Sequence, residues 1–349
     1  MKKRILIVVC ALLVLAILLG CAQAIVTPKY TDNPEGALIR EYYDSGFDHD
    51  VLFIGDCEAY ESFVPTVLWE EYGIRSYVRG SAQQLVWQSY YLLEETFRYE
   101  TPKTVVFNVL ALKYGTPQNE AYNRMTLDGM RWSKTKWQAI RASMTEDESM
   151  LEYLFPLLRF HSRITSLTGD DFRYALEAPA VSHNGYLMQT GIAPMGEEEE
   201  YIRGLSDYTL PATAMDYLEK MRLLCAENGA ELILIKSPTN SWGYWWYDEW
   251  DAQIVDYAAS HELSYYNFIP ACEEIGIDWQ TDTYDRGVHL NVYGAEKMTK
   301  YFGALLCEKH GYEQSKPTQG NDASWDAKVR RYYEQKTQME NETKKEKTK

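Results

Sequence analysis

The stretch "DVLFIGDC", Asp50 to Cys57, decides the fold. Its apolar run continues without polar alternation, which predicts a strand covered on both faces rather than one with a wet side. The run then breaks at Gly-Asp-Cys. A polar break at that end of a doubly covered strand is where an α/β protein meets its ligands.

Working outward, the pattern recurs. "RSYVRG" reads as a second short strand ending at Gly80, "KTVVFNV" (Lys103 to Val109) as a third, "AELILIKSP" as a fourth and "LSYYNF" as a fifth. Helices fall between them. Pro65 to Tyr72 is helical and stops at Gly73; Gln84 to Tyr99, Ala212 to Asn228 and Asp248 to Ser260 follow. The last helix starts near Asn291 and carries Met298, Tyr301, Phe302, Leu305 and Leu306 on one stripe. Strands alternating with helices predict an α/β fold: a five-stranded parallel sheet, doubly wound, with helices on both faces. The residues that follow the strands become the candidates for chemistry: Asp56-Cys57, Gly80-Ser81, Asn108, Lys236-Ser237-Pro238 and the segment after Phe268.

The strand-helix domain runs over 49–312. It is interrupted at 113–206 by an insertion too long for a crossover, with a helical middle and the loop "VSHNGYLMQTG". The insertion reads as a cap beside the site, and Glu197 to Glu200 as a solvated loop. Residues 28–48 read as a linker with a short helix, and 313–349 as a charged tail with a short helix and then disorder.

The first segment, 1–27, is uncharged from Ile5 to Val26 behind Lys2, Lys3 and Arg4. Such a run can span a bilayer, which needs roughly 20 apolar residues. The basic cluster predicts a cytoplasmic N-terminus with the rest of the chain outside. A retained signal anchor is the favoured reading. "LLGC" (Leu18 to Cys21) resembles a lipobox, and Ala22-Gln23-Ala24 fits a cleavage site, so a lipoprotein and a secreted form stay open. Each places the domain outside the cytoplasmic membrane. The net charge is -16, and setting aside the three leading basic residues takes the remainder to -19. This argues against a nucleic-acid partner and against electrostatic docking on anionic lipid.

Of the cysteines, Cys10 and Cys21 belong to the leader. Cys57, Cys225, Cys272 and Cys307 are irregularly spaced and show no zinc pattern. No metal or other cofactor is expected. Cys225 extends the helix stripe of Met215, Leu218 and Met221, a core reading. Among the histidines, His49 precedes the first strand, His161 lies in the helical insertion, and His261 and His310 sit at helix ends. His183, in "SHNGY", and His289, in "TDTYDRGVHLNVYGAEK", remain. A carboxylate in the same turn can orient the imidazole of His289 through Nδ1 and leave Nε2 for a nucleophile's proton. Asp285 and Asp282, four and seven residues before it, compete for that role.

Gly55-Asp56-Cys57, Gly80, Asn108 and Asp285…His289, in that order along the chain, resemble the SGNH/GDSL hydrolases. The closer resemblance is to membrane-tethered extracytoplasmic SGNH-like proteins of Gram-positive bacteria, and it runs from about Asp50 to Leu306. It implies a three-layer flavodoxin-like fold and esterase or O-acyltransferase activity. It also implies Cys57 as nucleophile where the family has serine, His289 as base and Asp285 as its orienting acid. The backbone N–H groups of Cys57 and Gly80 and the side-chain amide of Asn108 would form the oxyanion hole. The orienting acid usually stands three residues before the histidine; here Arg286 occupies that place.

A thiolate needs less help from its base than an alcohol does, but Asp56 and Glu58 flank Cys57 and carboxylates raise a thiol pKa. A degenerate site that still binds a ligand is therefore the alternative. "SPTNSWGYWWYDEW" places Trp242, Tyr244 and Trp245 at the same end of the sheet, where aromatic faces can stack on sugars. Trp246 and Trp250 read as core. Asp56 and His183 join the aromatics as candidate ligand-binding residues, and Lys236 and Arg124 as cations for an anionic group. The expected partner is a glycan or acylated envelope polymer, with the membrane held through the N-terminal segment. A membrane-bound acyltransferase partner fits the same reading.

Overall fold

A computed structural model of the chain describes residues 2–28, 35–177, 179–196, 205–241, 246–318, 320 and 322–346. The expected strands form at Val51–Gly55 (β1), Ser76–Gly80 (β2), Thr104–Asn108 (β3), Glu231–Lys236 (β4) and Ser264–Asn267 (β5). They build one sheet in the order β2-β1-β3-β4-β5, parallel throughout, with Gly55 opposite Gly80 and Asn108 opposite Ile235.

Side chains alternate across each strand, so a strand buried on both faces feeds two cores. Leu52 and Ile54 of β1 join Val105, Phe107, Leu232 and Leu234 under helices 86–96, 212–227 and 248–260. Val51 and Phe53 join Val106, Ile233 and Ile235 under helices 57–62, 65–72 and 292–309. The result is the three-layer α/β arrangement of a flavodoxin-like fold. Cys225 is in the first core, and so are Trp246 and Trp250, 5.3 Å apart. Helix 65–72 stops as expected at Gly73, whose φ of 69° suits the left-handed cap.

The order of the strands reverses direction between β1 and β3. That is the switch point at which an open parallel sheet leaves a crevice beyond its strand ends. Asp56 follows β1, and Asn108 ends β3.

Two outer segments differ from the reading of the sequence. The tail forms a 24-residue helix, Ala323–Glu346, rather than a short helix followed by disorder. Trp325 and Tyr332 are fully buried, and Trp325 packs on Trp69 of helix 65–72 at 5.4 Å. A few large aromatics on one side dock a helix whose composition is otherwise solvated. The insertion, read as one cap, splits into three parts with different positions. Helix Lys134–Ser143 packs on helix 86–96, and the short helices at 156–177 pack against the N-terminal helix. Residues 181–196 run along the open edge of β2, where Val78 N–H donates to Asn184 O at 2.9 Å, and on to the carboxyl ends of the strands. Glu197 to Glu200 lie outside the described residues.

The N-terminal helix, Lys2–Val26, has 25 residues and is long and apolar enough to cross a membrane.

Candidate functional site

Asp56 caps a one-and-a-half-turn helix, Cys57–Ser62, that the sequence did not announce; its carboxylate accepts the N–H of Glu58 at 3.2 Å. Cys57 is therefore the first helical residue beyond β1. Two glycines let the backbones close around it. A methyl on Gly55 would lie 3.0 Å from Asn108 Cβ, and one on Gly80 would lie 2.9 Å from Gly55 O and 3.4 Å from Asp56 O. Gly80 thus backs directly onto the peptide that precedes Cys57.

His289 arrives from the loop between β5 and the last helix. Thr283 and Leu290 pair as an antiparallel bridge, and the turn they close holds Asp285 and His289. Arg286 and Gly287 take left-handed conformations, with φ of 64° and 91°. The additional residue is thereby absorbed in the turn, and Asp285 still reaches the imidazole. Its Oδ2 lies 2.6 Å from His289 Nδ1, and its Oδ1 accepts the His289 N–H at 2.8 Å. The competitor is engaged elsewhere: Asp282 accepts from Lys297 Nζ at 2.6 Å and from the Asp278 N–H at 2.8 Å.

Neighbouring segments clasp this turn. After β4, Asn240 N–H donates to Gly287 O at 2.8 Å and Thr239 Oγ1 to Val288 O at 3.0 Å. From the insertion, Ala193 N–H donates to Thr283 O, and Arg286 N–H donates to Ala193 O. The side chains of Cys57 and His289 lie close enough for each to act on the titration of the other. Residues 232 positions apart in sequence are so brought together, with Asp285 on the far side of the imidazole.

Two participants were not anticipated. Glu61, on the helix that Cys57 begins, places Oε2 3.4 Å from His289 Nδ1. Tyr284 donates to Glu61 at 2.8 and 3.0 Å and lies nearly parallel to the His289 ring, 15° apart. The signal for Glu61 was its spacing of four from Cys57, one helical turn, but it requires the short helix to be recognised first.

The electrostatics follow from these distances. Burial pushes the Cys57 thiol up from 9.0; His289 opposes this, while Asp56 and Glu61 add to it. Burial alone would lower the pKa of His289. Cys57, Glu61 and the bond to Asp285 outweigh it and hold the imidazole well above 6.5. Glu58, the other carboxylate that flanks the thiol in sequence, is met by a cation. Lys236 Nζ donates to both its oxygens, at 2.7 and 2.8 Å, with both side chains buried.

Asn108 does not present the arrangement expected of an oxyanion donor. Its Nδ2 donates to Asp56 Oδ1 and to Glu58 Oε2, each at 3.0 Å, and its Oδ1 accepts from the Ser237 N–H at 3.1 Å. An amide nitrogen has two hydrogens, and both are spent on carboxylates. Asp56, expected at a ligand, is buried at the centre of this cluster. Burial, then the nearby Glu58 charge, raise its pKa from 3.8 to about 6. Lys236, expected to meet an anionic group, is committed to Glu58. Arg124 is likewise committed: it pairs with Glu120 at 2.8 Å and covers the Tyr153 ring at 4.1 Å.

His183 is not brought to Cys57. It is buried, its Nε2 lies 2.9 Å from Gln335 Oε1, and its ring meets Tyr332 edge-on. Burial depresses its pKa to about 4. It serves the docking of the tail helix, which reading the tail as a short helix and then disorder could not suggest. Trp242, Tyr244 and Trp245 lie outside the described residues. Among the described residues, no group of three His, Cys, Asp or Glu side chains is placed to hold a metal ion.

No model of a known protein family matches the chain, and no curated protein matches it.

Proposed function

We propose that the chain is a membrane-anchored extracytoplasmic thiol acyl-transfer enzyme of SGNH type, an esterase or O-acyltransferase acting on an acylated cell-envelope glycan. The observation that carries this reading is the contact of Cys57 with His289, whose Nδ1 Asp285 holds at 2.6 Å.

In this reading His289 Nε2 takes the thiol proton as Cys57 Sγ attacks the acyl carbonyl. The backbone N–H groups of Cys57 and Gly80 stabilise the oxyanion, without the amide of Asn108. Collapse expels the alcohol, which receives the proton from His289, and leaves a Cys57 thioester. Water then completes hydrolysis, or an acceptor hydroxyl completes transfer. Asp285 and Glu61 balance the imidazolium that exists between the two proton transfers. The N-terminal helix retains the enzyme at the outer face of the membrane.

The full-length protein in detergent, given an activated acetyl ester, is expected to release the alcohol and to carry a 42 Da adduct on Cys57. Cys57→Ala and His289→Ala abolish both, and Asp285→Asn slows both while Asp282→Asn does not. A robust rate that survives Cys57→Ala refutes the mechanism.

A second reading is favoured by the engagement of Asn108 and by the burial of Cys57. In it the fold is a non-catalytic component that binds envelope polymers or assists their assembly. It requires Cys57 to ignore iodoacetamide near neutral pH and the ester to remain intact.

A further inference from the structure

We propose that the exposed apolar side of residues 150–172 rests on the lipid bilayer that holds the N-terminal helix. This rests on reading Lys2–Val26 as a retained membrane span.

The surface is concentrated in a short part of the insertion. Leu151, Phe155, Leu158, Ile164 and Phe172 are 43 to 57% exposed. Single exposed apolar residues are ordinary, but a run of large ones along one segment marks an interaction surface. What identifies the occupant is the position of the segment. Its short helices, Pro156–Phe160, His161–Thr165 and Gly169–Glu177, all pack against the N-terminal helix. The contact is confined to the far end of that helix. Val26 is buried and Arg163 Nη1 donates to its carbonyl at 2.6 Å, whereas Ile5 through Leu19 present exposed apolar side chains.

A helix of 25 residues is about 37 Å long at 1.5 Å per residue, against a hydrocarbon core of about 30 Å. With Lys2, Lys3 and Arg4 in one headgroup layer, the last turn emerges in the other. Helices that grip this turn are therefore held at the bilayer surface. Apolar side chains at that level gain by entering the boundary between headgroups and acyl chains, about 5–10 Å deep.

Charge does not oppose the contact. The chain as a whole carries -16, but residues 150–177 hold Arg159, Arg163 and Arg173 against four carboxylates. Two of those carboxylates are paired within the segment, Asp171 with Arg163 at 2.7 Å and Glu177 with Arg173 at 3.3 Å, and Arg159 pairs with Glu120 at 2.7 Å. With its arginines so paired, the segment brings little net charge to the bilayer surface. The domain is then held flat against the membrane at two points, the span and this surface.

The test uses the full chain in liposomes of phosphatidylglycerol and phosphatidylethanolamine. A benzophenone amino acid is placed singly at Leu158 or Phe172, and for reference at Leu223 or Val255, which are similarly exposed on helices that cover the sheet. After illumination, the first pair is expected to give phospholipid adducts several-fold above the second. Equal yields at all four sites, or adducts to protein instead of lipid at 158 and 172, would overturn the proposal. Alkaline carbonate extraction of the same samples separates the two readings. Retention in the membrane with no lipid adduct at 158 or 172 rejects the surface alone, whereas release refutes the span and the surface together.

Discussion

Asp56→Asn is the substitution that most directly probes the buried cluster behind Cys57. The side chain keeps its shape, and its Oδ1 can still accept from the Glu58 N–H and from Asn108 Nδ2, now at 3.2 and 3.0 Å. What it loses is a charge that burial and Glu58 make costly, as its rise from 3.8 to about 6 records. At about 1.4 kcal/mol per pH unit, that interval is worth about 3 kcal/mol. The sign follows from the direction. A group whose folded pKa lies above its unfolded one favours folding while protonated, below about pH 4, and that contribution is lost as pH rises through about 6. The asparagine variant does not titrate. It should match the wild type within about 0.5 kcal/mol near pH 4, then gain with rising pH toward a plateau of about 3 kcal/mol above pH 7. An NH₂ group left without an acceptor subtracts from that gain. Urea unfolding of the full chain in detergent at pH 4, 5, 6 and 7.5 measures the gap. A stability difference independent of pH, or an asparagine variant weaker at pH 7.5 than at pH 4 relative to wild type, would show that Asp56 is not held near 6 by its surroundings.

Lys236→Met leaves Glu58 buried without its cation and should cost about 3–5 kcal/mol in urea unfolding, with Glu58→Leu in the same chain restoring a large part of it. Failure of the second change to restore stability would mean that the pair at 2.7 Å is not what the site depends on. Glu61→Gln removes a charge that pushes the Cys57 thiol up, so the pH midpoint for alkylation of Cys57 should fall. An unchanged or higher midpoint would remove Glu61 from the electrostatics of the thiol. Trp325→Ala empties a fully buried site between the tail and helix 65–72 and should cost about 3–5 kcal/mol; a loss below about 1 kcal/mol would indicate that the tail helix is not docked in solution.

The local physics of strands and helices was legible because it is written in consecutive residues. The unbroken apolar runs of β1 and β3, the proline and glycine that bound helix 65–72, and Asn291, which caps the last helix through its side chain, all state their roles within a few positions. The same holds for the apolar character of residues 5–26, and for the pairing of residues to strand ends that singled out Cys57 and His289. Four side chains at the site show what such reading leaves open. Asp282 and Asp285 are equivalent as letters, and only the left-handed turn at Arg286 and Gly287 delivers Asp285 to the imidazole while Lys297 takes Asp282. Asn108 ends a strand as a donor should, yet its hydrogens go to Asp56 and Glu58, whose positions depend on how β1 and β3 lie together. Glu61 becomes a neighbour of His289 only when a helix and a loop more than 200 residues apart converge. The sequence by itself determined the alternation of elements and the set of residues available at the strand ends, because periodicity and capping act over one or two turns. Tertiary structure alone decided which carboxylate meets which cation, because a buried charge is settled by whichever partner the packing brings within about 3 Å.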